Sequence, residues 1–560
     1  MKKFTTFIFL LSITLKMYLL ANDPPFRNVL YYGDWSIYTG QRNFYPSEID
    51  ANLISHLIFA YVDLDSNGDL ALFDEYADFL ITTLPEFEGR IEIDEPYGGV
   101  IGAISILKVK YPHLKIGISV GGPESNYDNF AEVAKDKVKR QNFASNIAKF
   151  VNYIGYDFVD IDWRYSKAKR DPYYSENLTS LLKEIRNELN TYQQNGIRYE
   201  LSITMPLSPI MTANVQFDKV LQDINFANMM TYDLNGEWNS YTAHHTPLYT
   251  NKAYNPETMS EAELSIDSFI TYLEETYGNT IDMKKIVIGV APYTRGWAGV
   301  KDDGLDKDNK GLYATANPNS VKSADGTNSG IYGFYELSTL KKQFDLLEFF
   351  DNTAKAAYYY SPNKGYFFSC DNEESVAAKG KYVKERQLGG LVSWMASYDQ
   401  ENKIAGAMFN SLYEEDYKFP EKDLIYNLIS ISAKIKVIEN GYTFRIQNNA
   451  ILEETNTALK RAEKFRKYIV NVKVYITTKS GAKFGEGAMS GTVTNENGKI
   501  IVDPSSNPKS KIILDRSNGY TFNVTTSGTP NVTDIATISV SQRILPSLKE
   551  FKKRIVYDNR

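Results

Sequence analysis

Cysteine is almost absent from this 560-residue chain: Cys370 stands alone, which excludes a disulfide scaffold and any thiolate metal cluster. Histidine is scarce as well, with four residues, two of them adjacent, and little scope for a His-based metal site. An excess of positive charge is also missing. The 62 Lys and Arg face 69 Asp and Glu for a formal net charge of −7, so the chain as a whole is not built to bind nucleic acid. Beyond the N-terminus no apolar run reaches the ~20 residues of a helical membrane span. At the N-terminus, Met1-Lys2-Lys3, the apolar residues 4–15 and the small-residue end Leu19-Leu20-Ala21 read as a signal peptide over residues 1–21, with Lys16 interrupting the run. The expected protein is secreted, with no membrane span once that segment is removed.

What is present is a globular balance, 43% hydrophobic and 23% charged, with an aromatic share of 13% that suits sugar rings as well as cores. Eight short apolar runs recur: 28–34 (NVLYYGD), 56–64 (HLIFAYVDL), 114–121 (LKIGISVG), 157–163 (DFVDIDW), 199–206 (YELSITMP), 226–233 (FANMMTYD), 285–293 (KIVIGVAPY) and 388–396 (LGGLVSWMA). Helical stretches separate them, with amphipathic spacing over 143–154 and 178–189. Strands apolar on both faces and alternating with helices require a parallel sheet, and eight such units close into a (β/α)8 barrel over residues 22–415. Between the seventh and eighth runs lies a long segment with its own short strands at 356–360 and 365–369, read as an α+β insertion subdomain over about 297–387. Residues 421–560 change texture to strands, one charged helix (451–468) and Asn-Gly turns at Asn497-Gly498 and Asn518-Gly519, the pattern of a separate β-rich domain. That block holds 22 Lys and Arg against 13 Asp and Glu, a net +9 that leaves −16 for the remainder. It reads either as an ordinary basic accessory domain or as a surface for an acidic protein partner, the barrel included.

The run at 156–165 (YDFVDIDWRY) carries the chemistry. Side chains alternate along a strand, so Asp160, Asp162 and Arg164 share one face, while Phe158, Val159, Ile161 and Trp163 mark the strand as buried. Carboxylates are costly in such a setting unless they belong to a polar site, and the C-terminal mouth of a barrel is where one is expected.

Here the chain resembles family-18 glycoside hydrolases, the chitinases and chitinase-like proteins, whose motif Asp-x-x-Asp-x-Asp-x-Glu is matched by Asp157, Asp160 and Asp162 with Arg164 in the Glu position. The resemblance extends through Ser119-Val120-Gly121-Gly122, Met230-Thr231-Tyr232-Asp233, Trp238, Thr246-Pro247-Leu248-Tyr249, Asp371 with Ser375, and Gly389-Gly390-Leu391-Val392-Ser393-Trp394. It implies substrate-assisted hydrolysis without metal or cofactor: the Glu protonates the glycosidic oxygen and the sugar's acetamido oxygen attacks the anomeric carbon. By the same resemblance Asp162 orients the acetamido group, Tyr232 donates to it, Asp160 supports Asp162, and Trp394 floors the pocket. Gly121, Gly122, Met230 and Asp233 line it.

Arg164 cannot replace the acid, because its pKa above ~12 leaves it no proton to cycle. Losing a general acid costs about 10² to 10⁴ in rate. An ion pair of Arg164 with Asp162, Asp160 or Asp233 is expected to fill part of the pocket. The resemblance with this departure implies a secreted chitinase-like protein that binds chitin, chito-oligosaccharides or other N-acetylglucosamine glycans with impaired catalysis. Two alternatives stay open: an active endo-chitinase with a relocated acid, Glu237 being nearest in sequence, and a structural or delivery subunit of a secreted toxin-like assembly. Tyr31, Tyr32, Trp35 and Trp297 are candidate sugar-stacking aromatics, against a role in packing. His244-His245 reads as loop packing rather than a metal pair, and Gly121-Gly122-Pro123 as a tight turn rather than a phosphate loop, since it lacks the Lys and Ser/Thr of one.

Overall fold

The computed structural model describes residues 24–420, apart from 88–97, 165–172, 193–197, 208–214, 252–264 and isolated positions between 302 and 325; beyond residue 430 it describes chiefly strands and one helix. The signal segment, Tyr165 and both Asn-Gly turns lie outside the described residues. The chain divides into two compact units near residue 422.

In the first unit eight parallel strands form a closed ring: β1 (Arg27–Gly33), β2 (His56–Leu64), β3 (Lys115–Gly121), β4 (Phe158–Asp162), β5 (Glu200–Pro206), β6 (Phe226–Met230), β7 (Ile286–Val290) and β8 (Gly390–Ser393). Each pairs with the next and β8 pairs with β1, which makes a (β/α)8 barrel. Helices cover it with their apolar stripes; Tyr174–Thr191 buries Leu178, Leu181, Leu182, Ile185 and Leu189, the 3–4 spacing of one helical face. Inside, Val29, Ile58, Phe158, Phe226, Val287 and Val392 fill the lumen. At the N-terminal end of the barrel His56 and Lys115 both bond the buried Glu200, a polar cluster that ties β2, β3 and β5 together. Burial brings the His56 imidazole down to about 4.

Three expected strand runs stop three residues short. The run to 233 ends at Met230, the run to 293 at Val290 and the run to 396 at Ser393. The chain turns there because the mouth needs side chains aimed inward. Asp233 has a φ of 58°, outside any strand. Non-proline cis peptides lie at Ala60–Tyr61 and Trp394–Met395.

Between β7 and β8 a four-stranded antiparallel sheet is built from Arg295–Ala298, Leu347–Asp351, Ala356–Ser361 and Tyr366–Ser369. In the second unit one antiparallel sheet joins Ile431–Ile438, Gly441–Asn448 and Tyr520–Thr525. Another joins Thr492–Glu496, Lys499–Asp503, Asn471–Thr478, Ile535–Arg543 and Glu550–Ile555.

Just past β1, Asp34 and Asp78 form a buried carboxyl pair. The two carboxyls lie close enough to interact, and neither oxygen of Asp78 has a hydrogen-bond partner among the described residues. A hydrogen bond between them requires that one of the two carry a proton. Burial pushes Asp34 up to about 7, and burial with the charge of Asp34 pushes Asp78 well above the carboxylate range. The folded state thus holds protons that the unfolded chain releases above pH ~4. The stabilisation is complete at acid pH and is lost as pH rises through the folded values, at about 1.4 kcal/mol per pH unit for each proton held. The melting temperature should fall from pH 5 to pH 8, and Asp78→Asn, whose amide supplies its own hydrogen to Asp34, should flatten that slope. An unchanged slope in thermal scans of the variant would refute the shared proton.

Candidate active site at the barrel mouth

The site begins with strand register. Asp160 on β4 lies level with Ser119 on β3 and Ser202 on β5, and all three side chains face inward. Asp160 consequently accepts from Ser119 (2.7 Å), Ser202 (2.7 Å), Thr204 (3.0 Å), Tyr31 (2.8 Å) and Asn228 (3.4 Å). Burial raises its pKa, opposed by the Ser202 and Ser119 hydrogen bonds. Five donors on one fully buried carboxyl leave it no freedom to move.

One turn of the pleat higher, Asp162 is also fully buried. Tyr61 donates to it at 3.2 Å, and Arg164 binds it in a fork, Nε to Oδ1 at 3.0 Å and Nη2 to Oδ2 at 2.9 Å. Of the three carboxylates open to Arg164, the pair is made with Asp162. Burial works against the Arg164 charge, but Asp162 outweighs it and holds the guanidinium above its ordinary value. Gly121 and Gly122 make this approach feasible. Their φ values are 114° and 90°, and a Cβ on them would strike the Asp162 carbonyl and the Tyr61 ring. They are backbone spacers behind Asp162 and Tyr61 and do not line open space.

On the opposite wall Asp233 accepts from Tyr293 and from Arg295 Nε, both at 2.8 Å. Burial alone would raise its pKa; Arg295 and His245 hold it well below the carboxylate range. The same Arg295 binds both oxygens of Glu237 at 3.1 Å and lies over the half-exposed Trp238 ring, 5.3 Å from its centroid. His245 faces Asp233 and His244 bonds Asp351 at the end of an insertion strand, so each histidine is paired with a carboxylate. Among the described residues no group of His, Cys, Asp and Glu could hold a metal ion. Tyr232 lies beside Met230 and Trp394, and its hydroxyl makes no hydrogen bond to the described residues. Burial raises that phenol, so it stays a donor. The floor is aromatic: Trp394 stacks on Tyr61 at 5.9 Å and packs against Tyr31 at 5.5 Å and Trp35 at 6.2 Å.

Residues 27–399 of this barrel match the profile of Glycosyl hydrolases family 18. The chain belongs to that family.

Among its relatives, Chitinase A1 of Niallia circulans is 28% identical over 421 residues, covering 68% of this chain and 57% of the relative. The chain therefore spans little more than half of that protein. Chitinase 1 of Aphanocladium album is 26% identical over 377 residues, covering 66% of this chain and 81% of the relative. The solved chitinase ChiA74 from Bacillus thuringiensis superposes with a TM-score of 0.61 at 20% identity, covering 92% of this chain and all of the other; it shares the fold.

Within this family-18 barrel Asp160, Asp162, Arg164, Tyr232, Asp233, Met230, Trp35 and Trp394 meet at one mouth. Three expected sugar-stacking residues do not present a ring face there. Trp297 is completely buried in the insertion, against Leu312, Tyr358 and Phe367, because its strand pairs with Tyr366–Ser369. Tyr31 is 2% exposed and spends its hydroxyl on Asp160, and Tyr32 is completely buried with its hydroxyl donating to the Phe44 carbonyl. Residues not singled out beforehand complete the site: Tyr61, Tyr293, Arg295, and the Ser202, Thr204 and Asn228 cradle. Only the cradle left a signal in the sequence, as polar positions at the inward period of apolar strands.

Proposed function

We propose that the barrel mouth binds chitin or related N-acetylglucosamine glycans, and that hydrolysis is impaired because Arg164 stands where the family carries its proton donor. The fork between Arg164 and Asp162 carries this reading. A carboxylate with both oxygens on a guanidinium cannot turn to orient an acetamido group, and the guanidinium has no proton to give. Glycan binding is supported by parts that need no acid: the uncommitted Tyr232 hydroxyl, the half-buried Trp35 and Trp394, and relatives named chitinases. Glu237 is a poor substitute donor, as Arg295 holds both its oxygens. Residues 1–21 are proposed as an export signal, and 421–560 as an accessory domain whose +9 charge suits an acidic partner.

Titration of the protein with N-acetylglucosamine oligomers, followed for binding and for product in the same sample, tests this. Binding without product is expected. Product from the unmodified chain would overturn the impairment, and absence of binding would overturn the glycan site. Trp394→Ala should weaken binding tenfold or more, since losing an aromatic platform removes about 1.5–3 kcal/mol of apolar burial. Calorimetric affinities equal to wild type would remove Trp394 from the floor.

A further inference from the structure

We propose that Lys379 is a positioning residue for the glycan site: through the Thr246 hydroxyl it fixes the Thr231 carbonyl, and with it the turn that carries Tyr232 and Asp233 into the mouth. The inference rests on the reading of Tyr232 as a donor to bound glycan.

Lys379 sits on the helix Glu373–Glu385 at the end of the insertion, and its ammonium is wholly buried. It donates to Asp371 Oδ2 (2.6 Å), to Thr246 Oγ1 (2.6 Å) and to the Gly289 carbonyl on β7 (3.2 Å), so all three N–H groups are used. An ammonium only donates. Thr246 must therefore accept from it and turn its own hydrogen elsewhere, and that hydrogen goes to the Thr231 carbonyl at 2.8 Å. The polarity of the relay is thereby set from Lys379 to Thr231. The Thr231 side chain closes the other half of the clamp, accepting from Gly289 N at 2.7 Å and donating to Gly289 O at 3.1 Å. Tyr232 follows directly, and its ring lies so close over Gly289 that a Cβ there would stand 2.7 Å from it. Next to it the Leu234 amide donates to the His245 carbonyl at 3.0 Å, holding the two arms of the loop together. None of the groups in the relay touches the open mouth, yet each constrains a residue that does.

Lys379→Met would strand the buried Asp371 carboxylate and endanger folding. Thr246 is the better handle, because Thr246→Val keeps the size and the Lys379–Asp371 pair while removing the relay's middle hydroxyl, and Thr246→Ser restores it. With an N-acetylglucosamine hexamer as probe, Thr246→Val should bind about fivefold to tenfold more weakly than wild type, the worth of one buried hydrogen bond. Thr246→Ser should bind within about twofold of wild type. In parallel, hydrogen exchange of the Leu234 and Gly289 amides should speed about tenfold in Thr246→Val and stay put in Thr246→Ser. Equal behaviour of the two variants, in binding or in exchange, would overturn the relay. If the wild type binds no hexamer, the glycan reading fails on its own, and the exchange comparison alone supports or refutes the relay.

Discussion

Arg164→Glu should cleave N-acetylglucosamine oligomers about 10² to 10⁴ times faster than the unmodified chain. Two changes act together. The substitution breaks the fork on Asp162, freeing a buried carboxylate that Tyr61 still holds. It also introduces a carboxyl close to Asp162, with Asp160 one pleat below, and like charges in a buried setting raise a carboxyl's pKa so that it keeps a proton near neutrality. A proton-bearing acid above an acetamido-orienting Asp is what the substrate-assisted route requires. Product formation is followed by chromatography at constant oligomer concentration, with binding measured on the same preparation. Retained binding with no product would show that the mouth has departed from the hydrolase arrangement at more than this one position.

Trp297→Ala loses about 3–5 kcal/mol of stability, the cost of emptying a large buried aromatic site. The indole packs edge-on to Phe367 at a centroid distance of 5.7 Å, and its N–H donates to the Asn239 carbonyl at 3.2 Å. Removal therefore opens a cavity and leaves a partly buried carbonyl without its donor. Thermal unfolding followed by circular dichroism should show an early transition in the variant. Oligomer affinity, measured well below that transition, should match wild type. The reverse pattern, intact stability with lost affinity, would restore Trp297 to the glycan-contacting residues.

The contrast between Trp297 and Trp394 shows where sequence reading loses its grip. Both are aromatic residues near the ends of apolar runs, and composition alone treats them alike. Trp394 leaves β8 at the mouth, whereas Trp297 lies on a strand whose partner is Tyr366–Ser369, some seventy residues on. Burial depends on that pairing, which no local pattern encodes. Arg164 poses the same difficulty in electrostatics: its place on the Asp160–Asp162 face follows from strand alternation, while its choice of Asp162 depends on the geometry around Tyr61 and Gly122. Lys379 and the Asp34–Asp78 pair left no signal at all, being single charged residues that become meaningful only when segments far apart in the chain close over them.

By itself the sequence determined the eight-strand periodicity, the parallel barrel it demands, and the inward Asp160, Asp162 and Arg164 ladder, because all three rest on alternation along short segments. The tertiary structure alone decided which carboxylate Arg164 holds, which tryptophan meets solvent and which buried charges pair. Those outcomes rest on the register between distant strands and on the desolvation that closure of the barrel imposes.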